Sequence, residues 1–570
     1  MEFIRPYRTG TTLNQVEQWK LARNPLDVAE AVRERYSVEG ADSIATVEGE
    51  LERLKWVGIY PQRQGGDAFM LRVKIPGGQL TAPQARRIGE VVDRYAAAPE
   101  LSPIWGDRYC DLTTRQDVQL HWVHIADVPE IWRLLEDVGI TTVQACGDSA
   151  RNVLSCPVSG VDRYEVLDAG PIAKEVSDFF TGNREYANLP RKFKMSITGC
   201  REDCAQAEIN DIGLWPARRF EDGVVGFNLL VGGGLSDGPR MASDLDVFVL
   251  PSQAVEICRA IAQLFGELGN RENRGISRMR YLVQELSPEG FREELAARAA
   301  FALEPAGEEL TRRYRGDHVG VHAERREGLV YVGCSVPVGR LSGLDLIEAA
   351  RLAAEYGDGE VRLATDQNFV MTGIPEDRVE ELLKETLLLR YTPFPAPFER
   401  GVVACTGSEF CRFALVETKA RAVEWARELD RKFAAGLGGG AGMRDRPHDA
   451  IVRMHFSGCP ASCGQPQIAD IGFRGDTAHV GDRIVEGVDI GLGGSLGTDA
   501  GFGDWVAGAM PVDDVPDALA RVVGRYLDER RPLERFHEWT RRSERQSISL
   551  TLHGDGDGDG AADLRSESRQ

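Results

Sequence analysis

Residues 194–204 read KMSITGCREDC, and residues 454–463 read MHFSGCPASC. Aligned on their cysteines, the two stretches are one motif written twice: a strand-like run, a glycine and a C-x3-C pair. The match continues outward in the same order. INDIG at 209–213 lies over IADIG at 468–472, and VGGGL at 231–235 lies over LGGSL at 492–496. Upstream, residues 56–85 lie over residues 318–343, each copy giving a strand-like stretch and then a helix-like one. A further strand is expected at 111–120 (DLTTRQDVQL), with its counterpart at 362–371 (RLATDQNFVM). The offset of about 260 residues is far too long for a solenoid, whose units run to ~20–50 residues. Three ordered matches per half mark the duplication of a whole α/β half.

Local patterns place these motifs on an α+β framework with largely antiparallel sheets. Alternation in residues 69–75 (FMLRVKI) predicts a period-two strand. An amphipathic helix is expected from Ala414 to Phe433, ending against the glycine-rich stretch 436–442. That stretch and the run 444–449 read as a surface loop. The acidic repeat at 553–570 reads as a disordered tail.

Composition narrows the chemistry. The 570 residues would fill three or four domains at ~150 each. A net charge of −21 argues against nucleic acid as the main partner, because phosphate neutralisation needs a basic face. Only 9 of the 68 basic residues are lysine, and an acidic, lysine-poor surface resembles those of proteins from salt-rich habitats. No apolar run reaches the ~18 residues of a membrane span, and the N-terminus has no signal-peptide pattern. A cytoplasmic protein without membrane contact is therefore expected. Eleven cysteines over this length are too sparse for a secreted disulfide scaffold.

Four of those cysteines carry the strongest signal. Cys405 and Cys411 form C-x5-C, and Cys459 and Cys463 form C-x3-C. Soft, anionic sulfur from two loops suits an iron–sulfur cluster, with structural zinc as the alternative, although zinc loops favour C-x2–4-C pairs. In the first half Cys156, Cys200 and Cys204 stand at the equivalent positions, with Asp162 where Cys411 would be. Either these form a second cluster with a carboxylate ligand, or they are a relic of duplication. Cys110, Cys258 and Cys334 read as small buried apolar residues, and Cys146 carries no assigned role.

The run CTGSEFC at 405–411, the helix ALVETKARA at 414–422 and SGCPASC at 457–463 resemble the ferredoxin-dependent nitrite and sulfite reductase family. The resemblance spans roughly residues 45–545 and includes the internal duplication. It implies a duplicated nitrite/sulfite reductase fold: two ferredoxin-like half-domains paired into one domain, plus two larger α/β domains holding sirohaem and cluster. The expected division is an N-terminal extension (1–45), half-domain 1 (46–135), a sirohaem and substrate domain (136–316), half-domain 2 (317–398), a cluster domain (399–548) and the tail (549–570).

The resemblance further implies sirohaem coupled to a [4Fe-4S] cluster held by Cys405, Cys411, Cys459 and Cys463, with Cys463 also ligating the sirohaem iron. Arg72, Arg151, Lys192 and Lys194 would act on an oxyanion, and Arg115, Asn152 and Cys463 would line the cofactor pocket. Period-two spacing puts Lys192 and Lys194 on one strand face, and Asp366, not arginine, is the repeat counterpart of Arg115. Guanidinium forks match oxyanions, and ammonium groups supply mobile protons.

The expected activity is assimilatory reduction of nitrite to ammonium, with reduced ferredoxin as donor and a monomeric enzyme. The cluster motif favours nitrite, whereas Lys-x-Lys at 192–194 resembles sulfite reductases, so sulfite stays open as the alternative substrate. A metal- or cluster-binding protein without enzymatic activity is the reading from another class. The glycine runs at 232–234 and 491–494 lack a dinucleotide-binding context and read as places of close approach to the cofactor. The arginine-rich segment from Arg525 to Arg545 is a candidate donor-docking patch, with a solvated helix as the alternative.

Overall fold

The computed structural model describes residues 12–311, 316–437, 451–497 and 499–554. The expected loop at 444–449, residues 438–442 of the glycine-rich stretch and the tail from 555 onward lie outside the described residues.

Four sheets organise the chain, two from each copy of the repeat. In the first copy Ile59–Pro61, Ala68–Val73, Val118–His124 and Gly106–Leu112 pair antiparallel in that spatial order. The next strand in this sheet, Arg340–Ser342, comes from the second copy. The second copy repeats the arrangement with Gly320–Ala323, Leu329–Cys334, Phe369–Pro375 and Glu360–Leu363, and its added strand, Gln79–Thr81, comes from the first.

Each copy thus lends a strand to the other, and one apolar core runs through both. The helices that follow the exchanged strands, Ala82–Tyr95 and Gly343–Tyr356, cross at two glycines. A Cβ on Gly89 would stand 2.6 Å from the Gly343 carbonyl, and the reverse distance is also 2.6 Å. Only glycine permits that approach.

The segments expected as single strands at 111–120 and 362–371 are instead hairpin turns. The strands stop at Leu112 and Leu363 and resume at Val118 and Phe369. Gln116 (φ 57°) and Gln367 (φ 65°) reverse the chain in left-handed conformation, which sequence alternation does not register. Both glutamines are buried and bridge the halves in the same way. Gln116 Nε2 donates to Ser155 O and Leu363 O, whereas Gln367 Nε2 donates to Leu112 O and Ala404 O.

The two larger sheets are mixed rather than largely antiparallel. Ala150–Leu154, Phe193–Ile197 and Ile212–Arg218 run parallel, and Val225–Val231 and Ser243–Val249 return antiparallel. Val402–Ala404, Met454–Ser457, Ile471–Val480, Arg483–Leu492 and Asp504–Pro511 repeat that order. Each sheet packs its own helices over its own core.

The helix expected from Ala414 begins at Lys419. Glu417 accepts from the Ala420 and Arg421 amides, and Thr418 Oγ1 donates to Cys405 O, so the preceding residues are drawn into the cysteine loop. Residues 549–553, expected as tail, belong to the helix Arg545–His553, whose Leu552 is fully buried. The glycine runs pack tightly within the protein. A Cβ on Gly233 would meet Glu208 O at 2.5 Å, and one on Gly494 would meet Gln467 O at 2.3 Å. Both glycines lie directly against backbone carbonyls.

Candidate active site

The loops after Ala404 and Ser457 bring the four second-half cysteines together at the end of parallel strands, where chain ends diverge and leave a crevice. Backbone amides point at the sulfurs. Gly407 and Gly458 donate to Cys405 Sγ at 3.4 and 3.2 Å, Phe413 and Ala414 donate to Cys411, and Ala461 donates to Cys459. Burial pushes the Cys405 thiol up to about 12 and the Cys459 thiol to about 11, each reinforced by the neighbouring Cys463. Cys411 is raised for the same reasons. Bound metal is what would hold such thiols as thiolates.

Among the described residues, these four are not a group whose ligand atoms all lie within 4.8 Å of one another. A tetrahedral zinc holds its sulfurs only ~3.8 Å apart. The wider set suits a cluster with several irons, with amide–sulfur bonds that tune its potential.

The loop 405–411 is anchored by residues of both halves. Arg340, on the exchanged strand, pairs with Asp111 at 2.7 Å and with Glu409 at 2.6 Å. Thr406 Oγ1 donates to the same Asp111 at 2.7 Å, and Phe410 stacks on His121 at 3.8 Å. Burial opposes ionisation of Asp111, but Arg340, Lys419 and His121 hold its carboxyl well below the usual range.

Cys463 is exposed and faces the first half of the chain. Thr114 Oγ1 donates to its carbonyl at 3.1 Å, and its sulfur acts electrostatically on Arg72 and Lys192. Arg72, on the strand Ala68–Val73, donates to Gln119 Oε1 and lies over the Tyr60 ring. Arg151, on Ala150–Leu154, is fixed by Nε donating to Gly147 O at 2.8 Å. Arg115 sits in the hairpin turn and donates to Asn210 Oδ1 and Asn152 O. Asn152 is fully buried, its Nδ2 donating to Ile75 O and Arg115 O. Lys192 precedes the strand Phe193–Ile197 and Lys194 lies on it, both half-buried and alternating with the buried Phe193 and Met195.

Arg72, Arg115, Arg151, Lys192 and Lys194 form no ion pair within 4.0 Å among the described residues. Burial, then Arg278, lowers Lys192 to about 8; burial, then Arg115 and Lys192, holds Lys194 well below its ordinary value. Burial brings Arg115 down to about 9. Sequence reading missed Arg278, which forks onto Asp211 with two contacts of 3.1 Å. It lies on a stretch with no motif, and only its position in space reveals it. Most of the guanidinium groups in the 525–545 segment are bonded within the chain: Arg525 to Ser547 O, Arg530 to Gly436 O, Arg541 to Gly493 O, Arg542 to Glu534 and Arg545 to Trp505 O.

The family described as the nitrite and sulphite reductase 4Fe-4S domain matches residues 146–303 and 396–543. The nitrite/sulfite reductase ferredoxin-like half domain matches residues 60–138 and 322–389. The chain belongs to the nitrite and sulfite reductase family. An assimilatory ferredoxin-dependent nitrite reductase of Haloferax mediterranei is 41% identical, covering 92% of this chain and 90% of that protein. A ferredoxin–nitrite reductase of Synechococcus elongatus is 39% identical, over 90% of this chain and 97% of its own length. The solved structure of the Mycobacterium tuberculosis NirA protein superposes with a TM-score of 0.87 at 33% identity, covering 96% of this chain and 100% of that one.

The α+β duplicated fold is therefore shown, with oxidoreductase membership, and the family carries sirohaem with a [4Fe-4S] cluster. The pocket beside Cys463 suits such a group. The buried Nε atoms of Arg72 and Arg115 have no hydrogen-bond partner in the protein, and neither guanidinium is ion-paired among the described residues. Uncompensated buried cations are costly, so the donor set calls for a polyanion, which the carboxylates of sirohaem supply. No described helix is long and apolar enough to cross a membrane.

Proposed function

We propose that this chain reduces nitrite to ammonium with electrons from reduced ferredoxin, through a [4Fe-4S] cluster on Cys405, Cys411, Cys459 and Cys463. The observation that carries the reading is the basic pocket of the first half facing Cys463 of the second. Sirohaem, when bound, would supply redox-active iron chemistry, and Cys463 would be among the residues that hold it. Arg115 and Asn152 would hold its periphery.

Arg72 and Arg151 balance the negative charge of the substrate oxygens and of oxygen leaving as water. Lys192 and Lys194 hold protons at Nζ. A group lowered to about 8 donates near neutral pH far more readily than an ordinary lysine. One chain contains both halves of the site, which supports a monomer. A reducing cytoplasm suits its free cysteines.

Sulfite is the second reading, favoured by the two adjacent lysines, since a dianion gains more from a second cation. Steady-state assays with each anion and reduced ferredoxin discriminate. A kcat/KM at least tenfold higher for nitrite is expected, and a preference for sulfite overturns the first reading.

A further inference from the structure

The first-half cysteines are not left over in the fold. Cys156, Cys200 and Cys204 converge with His318, and their sulfurs and the imidazole nitrogen all lie within 4.8 Å of one another. All four residues are buried. Asp162, expected at the fourth position from the repeat, is not in the group: its Oδ1 accepts from the Tyr164 amide. The fourth group instead arrives from the second half of the chain, 162 residues beyond Cys156.

We propose that Cys156, Cys200, Cys204 and His318 form a mononuclear structural zinc site, separate from the cluster and sirohaem.

Four arguments support a single closed ion. First, ligand atoms this close leave no room for the cube of iron and sulfide in a cluster, but match the ~3.8 Å sulfur spacing around tetrahedral zinc. Second, three thiols and one imidazole make a Cys3His set, a standard structural zinc complement with no open position for substrate. Third, the outer groups are in place. His318 presents Nε2 to Cys156 Sγ at 3.5 Å, while its Nδ1 meets the Tyr331 hydroxyl at 3.2 Å, which fixes the ring and leaves Nε2 to the metal. The Glu202 amide donates to Cys200 Sγ at 3.3 Å, and Thr365 holds the Cys204 carbonyl at 2.7 Å.

Fourth, the backbone is shaped to deliver the histidine. His318 has φ 59°, and a Cβ on Gly333 would stand 1.9 Å from its carbonyl, so only glycine allows the segment to lie there. Its neighbour Asp317 is clamped by Arg400 at 2.7 and 2.8 Å. Zinc here would staple the first-half cysteine loops to the edge strand of the second ferredoxin-like half.

The test uses the full-length holoenzyme after dialysis against a chelator. Elemental analysis is expected to find one zinc per chain alongside the iron, and zinc-edge X-ray absorption to give three sulfurs at ~2.3 Å and one nitrogen at ~2.0 Å. Cys204→Ser should lower zinc at least tenfold and reduce Tm by ~5 °C while leaving the cluster iron unchanged. His318→Cys should keep the metal and shift its spectrum to four sulfurs, which preserves the test if Cys204→Ser does not fold. Absence of zinc, extra iron in its place, or zinc unchanged in Cys204→Ser with no sulfur added in His318→Cys would overturn the proposal.

Discussion

Cys463 and Cys204 occupy equivalent places in the two repeats, and a threonine from the equivalent turn, Thr114 or Thr365, donates to each carbonyl. Their surroundings have diverged completely. Cys463 is exposed and faces the cations of the first half, whereas Cys204 is 3% exposed and sealed with His318. The same divergence runs through the neighbouring positions. Arg151 has only the Gly147 carbonyl for its Nε, while its counterpart Arg400 is neutralised by Asp317. Lys194 and Arg453 both donate their backbone amides to an aspartate, Asp211 and Asp470, at 2.8 Å. Beyond those aspartates stand Arg278 in one half and His537 in the other. Duplication kept the backbone scaffold, and side-chain charge sets the two equivalent crevices apart.

The largest test of that asymmetry exchanges one thiol for a hydroxyl. Cys463→Ser is expected to lower nitrite reduction more than ~10³-fold, because a serine cannot serve as a shared soft ligand. Cys204→Ser should leave kcat within about threefold. Equal losses would break the comparison.

Next in size are the lysines. Lys194→Met should lower kcat/KM by ~10²-fold, the usual cost of a lost proton donor, whereas Arg453→Met should change it less than about threefold. Where the halves remain symmetric, effects should be equal. Gly89→Ala and Gly343→Ala each place a Cβ against backbone at the helix crossing, and each is expected to cost about 2 kcal/mol in chemical unfolding.

A further effect is a pH dependence. In the cofactor-free chain Lys192 titrates at about 8, against an ordinary 10.5 once unfolded. The unfolded state therefore binds more protons between those values, and stability relative to Lys192→Met should rise as pH increases across that window. Bound polyanion pulls the lysine back up, so the holoenzyme should show a weaker rise. Paired Tm measurements on both forms check it.

The candidate site was legible in the sequence where its residues are local. C-x5-C, C-x3-C and Lys-x-Lys are fixed by spacing, and the duplication shows by simple alignment. The expected strands at 111–120 and 362–371 failed because a left-handed glutamine hidden in an alternating run turns the chain back. Arg278 and His318 were not legible at all, since neither sits in a motif and each meets its partners only across long sequence separations.

The sequence by itself determined two homologous halves, the spacing of four second-half cysteines and the places of the first-half arginines and lysines. Only the tertiary structure decided that the halves exchange strands, that Cys463 of one half faces the cations of the other, and that His318 closes the first-half cysteines. Local spacing encodes strands, turns and loops. Which half faces which is set by packing between distant segments, and no local pattern carries that information.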